Sequence, residues 1–281
     1  MTLFWLQLRG ELTKLFARKR TYLGFGAFLG IEALVLFMLQ LPKPKAHFRR
    51  VIEDSGYIFE QYFSGLTMGL LILMWTTFLL GALYLALVAG DVISKEVEDG
   101  TMRMTLCRPI SRLRIVVIKY AACVIYTFAL VAFIAITALL AGMAYRGTGG
   151  LLAYAPQDQL FELYEAGPGL LRYLCAIPAL GLGLLSITSL GFMFSCFNMK
   201  PAAATIATLS LMFLDSIFRN IPYFESLRPY FITARIATWL NVFHLHIPWE
   251  KMTEDYAYLI ALDLTFLLIG LASFHQRDFK S

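Results

Sequence analysis

Charge is scarce in this chain of 281 residues. Lys, Arg, Asp and Glu together make up 15% of it, where about 25% is usual for a soluble domain. Cysteine is scarcer still. Cys107, Cys123, Cys175 and Cys196 are the only four, and no two are spaced as C-x-x-C, which argues against a disulfide framework and against a cysteine metal site. Three signatures are missing altogether: the phosphate loop G-x-x-x-x-G-K-[ST], the zinc-protease H-E-x-x-H and the nucleophile elbow G-x-S-x-G. The chain is therefore expected to carry no catalytic residues, no metal and no cofactor of its own, and not to hydrolyse ATP. His244-x-His246 offers two imidazoles without a third ligand and reads as interfacial packing. No nucleic-acid partner is expected.

Apolar residues, by contrast, fill 59% of the chain, and the mean hydropathy is +0.67. A soluble fold would have to leave many of them in water. The apolar stretches are continuous rather than alternating, which disfavours a β-barrel. Six of them are near the length that a membrane helix needs: residues 22–41, 66–89, 115–144, 171–197, 202–218 and 256–274. The expectation is an all-α membrane protein of six transmembrane helices. It forms a single domain over residues 1–281, with no stretch left over for a separate soluble catalytic domain.

Residues 1–20 lack the uninterrupted apolar core of a signal peptide, because Arg9, Glu11 and Lys14 break the run. Read as a helix, Trp5, Leu8, Leu12, Leu15 and Phe16 share a face, which describes an interfacial amphipathic helix; the alternative is a frayed basic tail. Orientation follows from basic clusters. Arg18, Lys19 and Arg20 precede the first run, and Lys95, Arg103, Arg108, Arg112, Arg114 and Lys119 lie around the link between the second and third. Lys43, Lys45, Arg49 and Arg50 argue the other way. The balance places both termini in the cytoplasm, with the chain a multi-pass protein of a cell membrane, a prokaryotic plasma membrane by preference.

The links differ in character. Residues 42–65 and 145–170 read as polar outside loops. Asn198-Met199-Lys200-Pro201 is a tight turn, with Pro201 in the first turn of the next helix. Residues 220–254 are rich in Tyr, Phe and Trp but hold Glu225, Arg228 and Arg235. They read either as an interfacial or re-entrant helix or as a packed cap over the outer helix ends.

The inside link, residues 91–113, is the most patterned. Glu96, Glu98 and Asp99 precede Gly100, a helix stop. Thr101 then caps a short helix through Cys107, Pro109 ends it, and Ser111 caps the third span. Met102, Met104 and Leu106 offer adaptable apolar contacts to a partner, with Glu96, Glu98, Arg103 and Arg108 as charges around their rim.

E-x-x-x-G-T, a Leu, P-x-S-R and a Lys seven residues on stand here as Glu96, Gly100, Thr101, Leu106, Pro109, Ser111, Arg112 and Lys119. This pattern resembles the type-2 ABC exporter permeases. The basic start, the six runs and the ending Phe274-x-x-Arg277-Asp278 are similar to that family as well. The resemblance implies a permease paired with a separate ATP-binding cassette ATPase subunit that carries ATP and magnesium. It implies a second permease copy, identical or related, and a short cytoplasmic coupling helix seated in the ATPase. A membrane-embedded enzyme or an assembly scaffold without transport is the alternative.

Three carboxylates fall in or beside the apolar runs. Asp215 sits one turn before Arg219 and reads as an outer-edge ion pair. Glu32 and Asp263 lie deeper, where an unpaired charge is costly; a pathway role and buried structural pairing both fit. Gly24, Gly26 and Gly30 in the first run allow close helix approach, as do Gly181, Gly183 and Ser186 in the fourth. Pro178 permits a kink there.

Overall fold

A computed structural model of the chain describes residues 2–107, 110–158 and 160–277. Arg108 and Pro109 of the inside link, and Asp278 of the terminal motif, lie outside the described residues. Helices α1 (Thr2–Ala17), α2 (Lys19–Gln40), α3 (Pro42–Glu53), α4 (Phe59–Tyr62) and α5 (Gly65–Thr76) lead into a π-helical stretch, Thr77–Gly81, and then α6 (Ala82–Glu98). The short α7 (Thr101–Leu106) precedes α8 (Arg112–Arg146), α9 (Ala166–Cys196) and α10 (Pro201–Asn220). After the 3-10 turns of Pro222–Tyr230 come α11 (Ile232–Ile236), a 3-10 stretch Ala237–Phe243 and α12 (Trp249–Gln276). Five of these helices, α2, α8, α9, α10 and α12, are long and apolar enough to cross a membrane. The second apolar run is not one regular helix: its π-helical stretch divides it into α5 and α6.

The frame is that of an all-α membrane protein, and one short ribbon stands beside the helices. Residues 151–164 form an antiparallel ribbon, β1 (Leu151–Ala155) and β2 (Leu160–Tyr164), with Leu151 opposite Tyr164 and Ala155 opposite Leu160. Leu151, Leu152 and Ala153 are fully buried. The loop expected over residues 42–65 is mostly α3 and α4. Leu41 turns the chain, Pro42 starts α3, and Phe48 and Ile52 are buried from it.

α5 and α8 cross closely. A Cβ on Gly142 would stand 2.3 Å from the Gly65 carbonyl oxygen and 2.9 Å from the Gly69 nitrogen, so only glycine permits this approach. Among the glycines singled out above, Gly24 makes room for the Tyr84 ring, Gly181 for Phe128 and Gly183 for the backbone of Ile236. Gly26 and Gly30 face open space, so they mediate no close approach within the chain. α9 runs through Pro178 as one helix.

Within residues 220–254 the stretch Ala237–Phe243 packs inward, whereas Pro222–Tyr230 has no buried residue. Trp239, Leu240, Val242 and Phe243 are buried. Arg235 reaches Asp255 of α12 at 2.7 Å, and Arg172 of α9 donates to the carbonyls of Val242 and His244. Asp215 has a different task from the one expected. It accepts the backbone amides of Ile232 and Thr233 at 3.1 and 2.8 Å, and Arg219 donates to the Thr233 carbonyl.

Candidate functional site

The end of the bundle that gathers α1, the link from α6 to α8 and the end of α12 holds a network of charged and polar groups. It starts with the backbone. Gly100 has φ +73°, a left-handed conformation that costs a residue with a Cβ about 1–2 kcal/mol. The amides of Asp99 and Gly100 return to the carbonyls of Lys95 and Val97, which closes α6 and turns the chain into α7. Gly100, not Thr101, occupies the cap position of α7. Thr101 lies in its first turn, and its hydroxyl donates back to the Glu96 carbonyl at 3.2 Å. Ser111 caps α8 as the sequence indicates, accepting the Arg114 amide at 3.3 Å.

Beneath this turn lies a lattice of four charges. The Lys119 ammonium, on a residue only 2% exposed, donates to Glu96 Oε1 at 2.8 Å and to Glu11 Oε2 at 2.9 Å. Lys14 stands 2.7 Å from Glu11 and 3.5 Å from Glu96. Three elements are thereby tied together: α1, the end of α6 and the start of α8. Burial pushes the Glu11 carboxyl up, but Lys119 and Lys14 outweigh it and hold the group below its ordinary range. Burial pushes the Lys14 ammonium down, and Glu11 with Glu96 reverses that and raises it. α1 therefore does more than rest on a surface. Leu8 and Leu15 are buried in the chain, and the Phe16 ring meets Tyr126 of α8 with centroids 5.1 Å apart. Leu3, Trp5 and Leu6 are exposed, so Trp5 parts from the face it was read with.

The residues expected to meet a partner divide into two groups. Glu96 and Met102 turn inward, the latter 1% exposed, and Leu106 is half-buried against the core. A helix of six residues anchored on a packed bundle must spend one face on its own chain. Glu98, Arg103 and Met104 face outward, with Met104 67% exposed. A cleft lined by Lys14, Arg18, Asp99, Thr101 and Thr105 opens between α1 and α7.

Arg112 extends the network. It donates to the carbonyls of His275 and Arg277 at 2.8 and 3.0 Å, and Arg277 donates to the Phe197 carbonyl and Asn198 Oδ1 at 2.9 and 2.7 Å. The start of α8, the end of α12 and the α9–α10 turn are thus clamped together. On the neighbouring flank Arg20 meets Asp91 at 2.5 Å.

Glu32 and Asp263 both lie inside the bundle, 2% and 4% exposed, and they do not meet each other in these contacts. Glu32 accepts from the Thr137 hydroxyl of α8 at 2.8 Å. Asp263 adjoins Ser186 and Ser189 of α9, yet neither of its oxygens has a hydrogen-bond partner. Sequence reasoning missed Glu11 and Lys14 as members of the lattice. Their signal was present, as charges interrupting an apolar helix face.

A family model described as "Protein of unknown function (DUF2705)" matches residues 34–280. Among curated proteins, the chain is similar to "Uncharacterized protein YhcI" of Bacillus subtilis (strain 168), with 26% identity over 142 residues. That stretch is 50% of this chain and 39% of the relative, so the match spans about two fifths of the relative's length.

Proposed function

We propose that this chain, which belongs to the DUF2705 family, is the permease subunit of an ATP-binding cassette exporter. In this reading two permease copies, identical or related, share one pathway, and a separate ATPase subunit binds ATP and magnesium. The helical path Gly65–Glu98 supplies the sixth crossing beside the five long helices, since α5, the π-helical stretch and α6 follow without a break. Both termini are cytoplasmic, α1 lies along the membrane interface, and α7 is the coupling helix.

The observation that carries the reading is the buried Lys119–Glu96 contact under α7. A connector between two spans needs neither a left-handed glycine nor a buried ion pair to hold it. An element that passes displacement from a partner needs both, because its base must not yield when pushed. Met104 and Arg103 then remain as outward contacts. A methionine tolerates a moving apolar interface, and a rim charge sets register.

The test is purification of the tagged chain from its native membrane. A soluble subunit bearing a phosphate loop should accompany it, and the chain alone should show no ATPase activity. Repeated recovery without any such subunit would favour the scaffold alternative.

A further inference from the structure

Five carboxylates are buried among the described residues: Glu32, Asp91, Glu96, Asp255 and Asp263. Four have a donor. Glu32 has Thr137, Asp91 has Arg20, Glu96 has Lys119, and Asp255 has Arg235 and Thr238. Asp263 has none in hydrogen-bond geometry, with the Ser186 and Ser189 hydroxyls beside it, and both of its oxygens are enclosed. The Ser186 hydroxyl next to it is also enclosed and unpaired. Ser189, on the same face of α9, accepts or donates a 2.8 Å hydrogen bond with Tyr120 of α8 and donates to the Leu185 carbonyl. Three helices therefore bring together one carboxylate, two serine hydroxyls and one phenol, all oxygen groups, at the middle of α12.

We propose that Asp263, Ser186, Ser189 and Tyr120 form a buried site for one monovalent cation, sodium or a proton. Charge balance makes the argument. An ionised carboxylate held away from water without a counter-charge is strongly disfavoured, and among the described residues no charged side chain pairs with this one. From α8 it meets Tyr120, and from α9 the two serines. Arg235 of α11 and Thr238 of the stretch Ala237–Phe243 reach α12 at Asp255, two turns before Asp263, and Arg235 is already taken there. The missing charge must come from solution. One carboxylate calls for one positive charge, and oxygen ligands suit a hard ion. Divalent ions fit poorly, because no group of three metal-ligating side chains occurs among the described residues. The site does not depend on the chain being a permease.

The test is thermal unfolding of the full-length chain in lipid nanodiscs. Sodium chloride is titrated against choline chloride at constant ionic strength, in mildly acid and in mildly alkaline buffer. A sodium-filled site raises the unfolding temperature with sodium by roughly 3–8 °C. A proton-filled site shows no sodium effect but loses a similar amount as pH rises, because deprotonation leaves a buried unpaired charge. Asp263→Asn abolishes whichever dependence the wild type shows. Ser186→Ala keeps the carboxylate and displaces the sodium half-saturation or the pH midpoint several-fold, and it serves where the Asn variant does not fold. Identical sodium and pH responses in wild type and Asp263→Asn, or no displacement in Ser186→Ala, would overturn the proposal.

Discussion

Replacing Lys119 by Met keeps most of the side-chain volume and removes the charge that holds the lattice together. Its two contacts, at 2.8 and 2.9 Å, are each worth about 6 kcal/mol of attraction at an effective dielectric of about 20. Desolvation of a residue 2% exposed consumes much of that. What the variant loses is set by the carboxylates it strands. Glu96 and Glu11 would share only Lys14, which is half exposed and stands 3.5 Å from Glu96. Breaking one partner of a buried ion network typically costs about 3–5 kcal/mol, which for a chain of this size lowers the unfolding temperature by about 6–20 °C. The double variant Lys119→Met/Glu96→Gln should recover part of this, because a neutral amide tolerates burial better than an unpaired carboxylate. Two assays apply: thermal unfolding in nanodiscs, and limited tryptic cleavage after Arg18 and Lys19, which should quicken as α1 loosens. An unfolding temperature within about 2 °C of wild type, with unchanged cleavage, would refute the lattice as a structural tie.

Met104→Asp alters an exposed residue and should leave thermal stability within about 0.5 kcal/mol while reducing co-purification of the ATPase. Met102→Asp puts a charge into the core and should instead lower stability and membrane yield; if the two behave alike, the two-faced reading of α7 fails. Gly142→Ala should cost about 1–3 kcal/mol by overpacking, measured as thermal unfolding, whereas Gly30→Ala, in open space, should be neutral. Glu11 is held below its ordinary carboxylate range. Its contribution is therefore complete above the ordinary value of 4.5 and is lost as pH falls through the lower folded-state value; Glu11→Gln should flatten that acid limb of the unfolding profile. A reporter fused after Ser281 should be active only in its cytoplasmic form, and activity of the opposite kind would remove the even number of crossings.

Much of the helical frame was legible because long apolar runs leave the backbone few alternatives. Gly100 and Ser111 were legible because turn and cap chemistry is local. The ribbon at residues 151–164 was not. Leu151, Leu152 and Ala153 do not alternate with polar residues, and their burial comes from the chain packed over both faces. α3 was hidden by Lys43, Lys45, Arg49 and Arg50, which masked the buried pair Phe48 and Ile52. At the candidate site, the Glu96 and Lys119 positions were visible as a pattern. That they touch, and that Glu11 completes the contact, depends on the fold, since no periodicity links residues so far apart. The burial of Met102 depends on the fold in the same way: in a helix of six residues the inward face is decided by what lies beneath.

The docking of α1 has a consequence for how the chain is made. Glu11 emerges from the ribosome 108 residues ahead of Lys119, its buried partner. Through that interval α1 lacks both the ammonium that neutralises Glu11 and the ring that Phe16 meets. The seat of α1 is therefore complete only once α8 has been made, and a chain cut short before Lys119 would leave Glu11 with Lys14 alone.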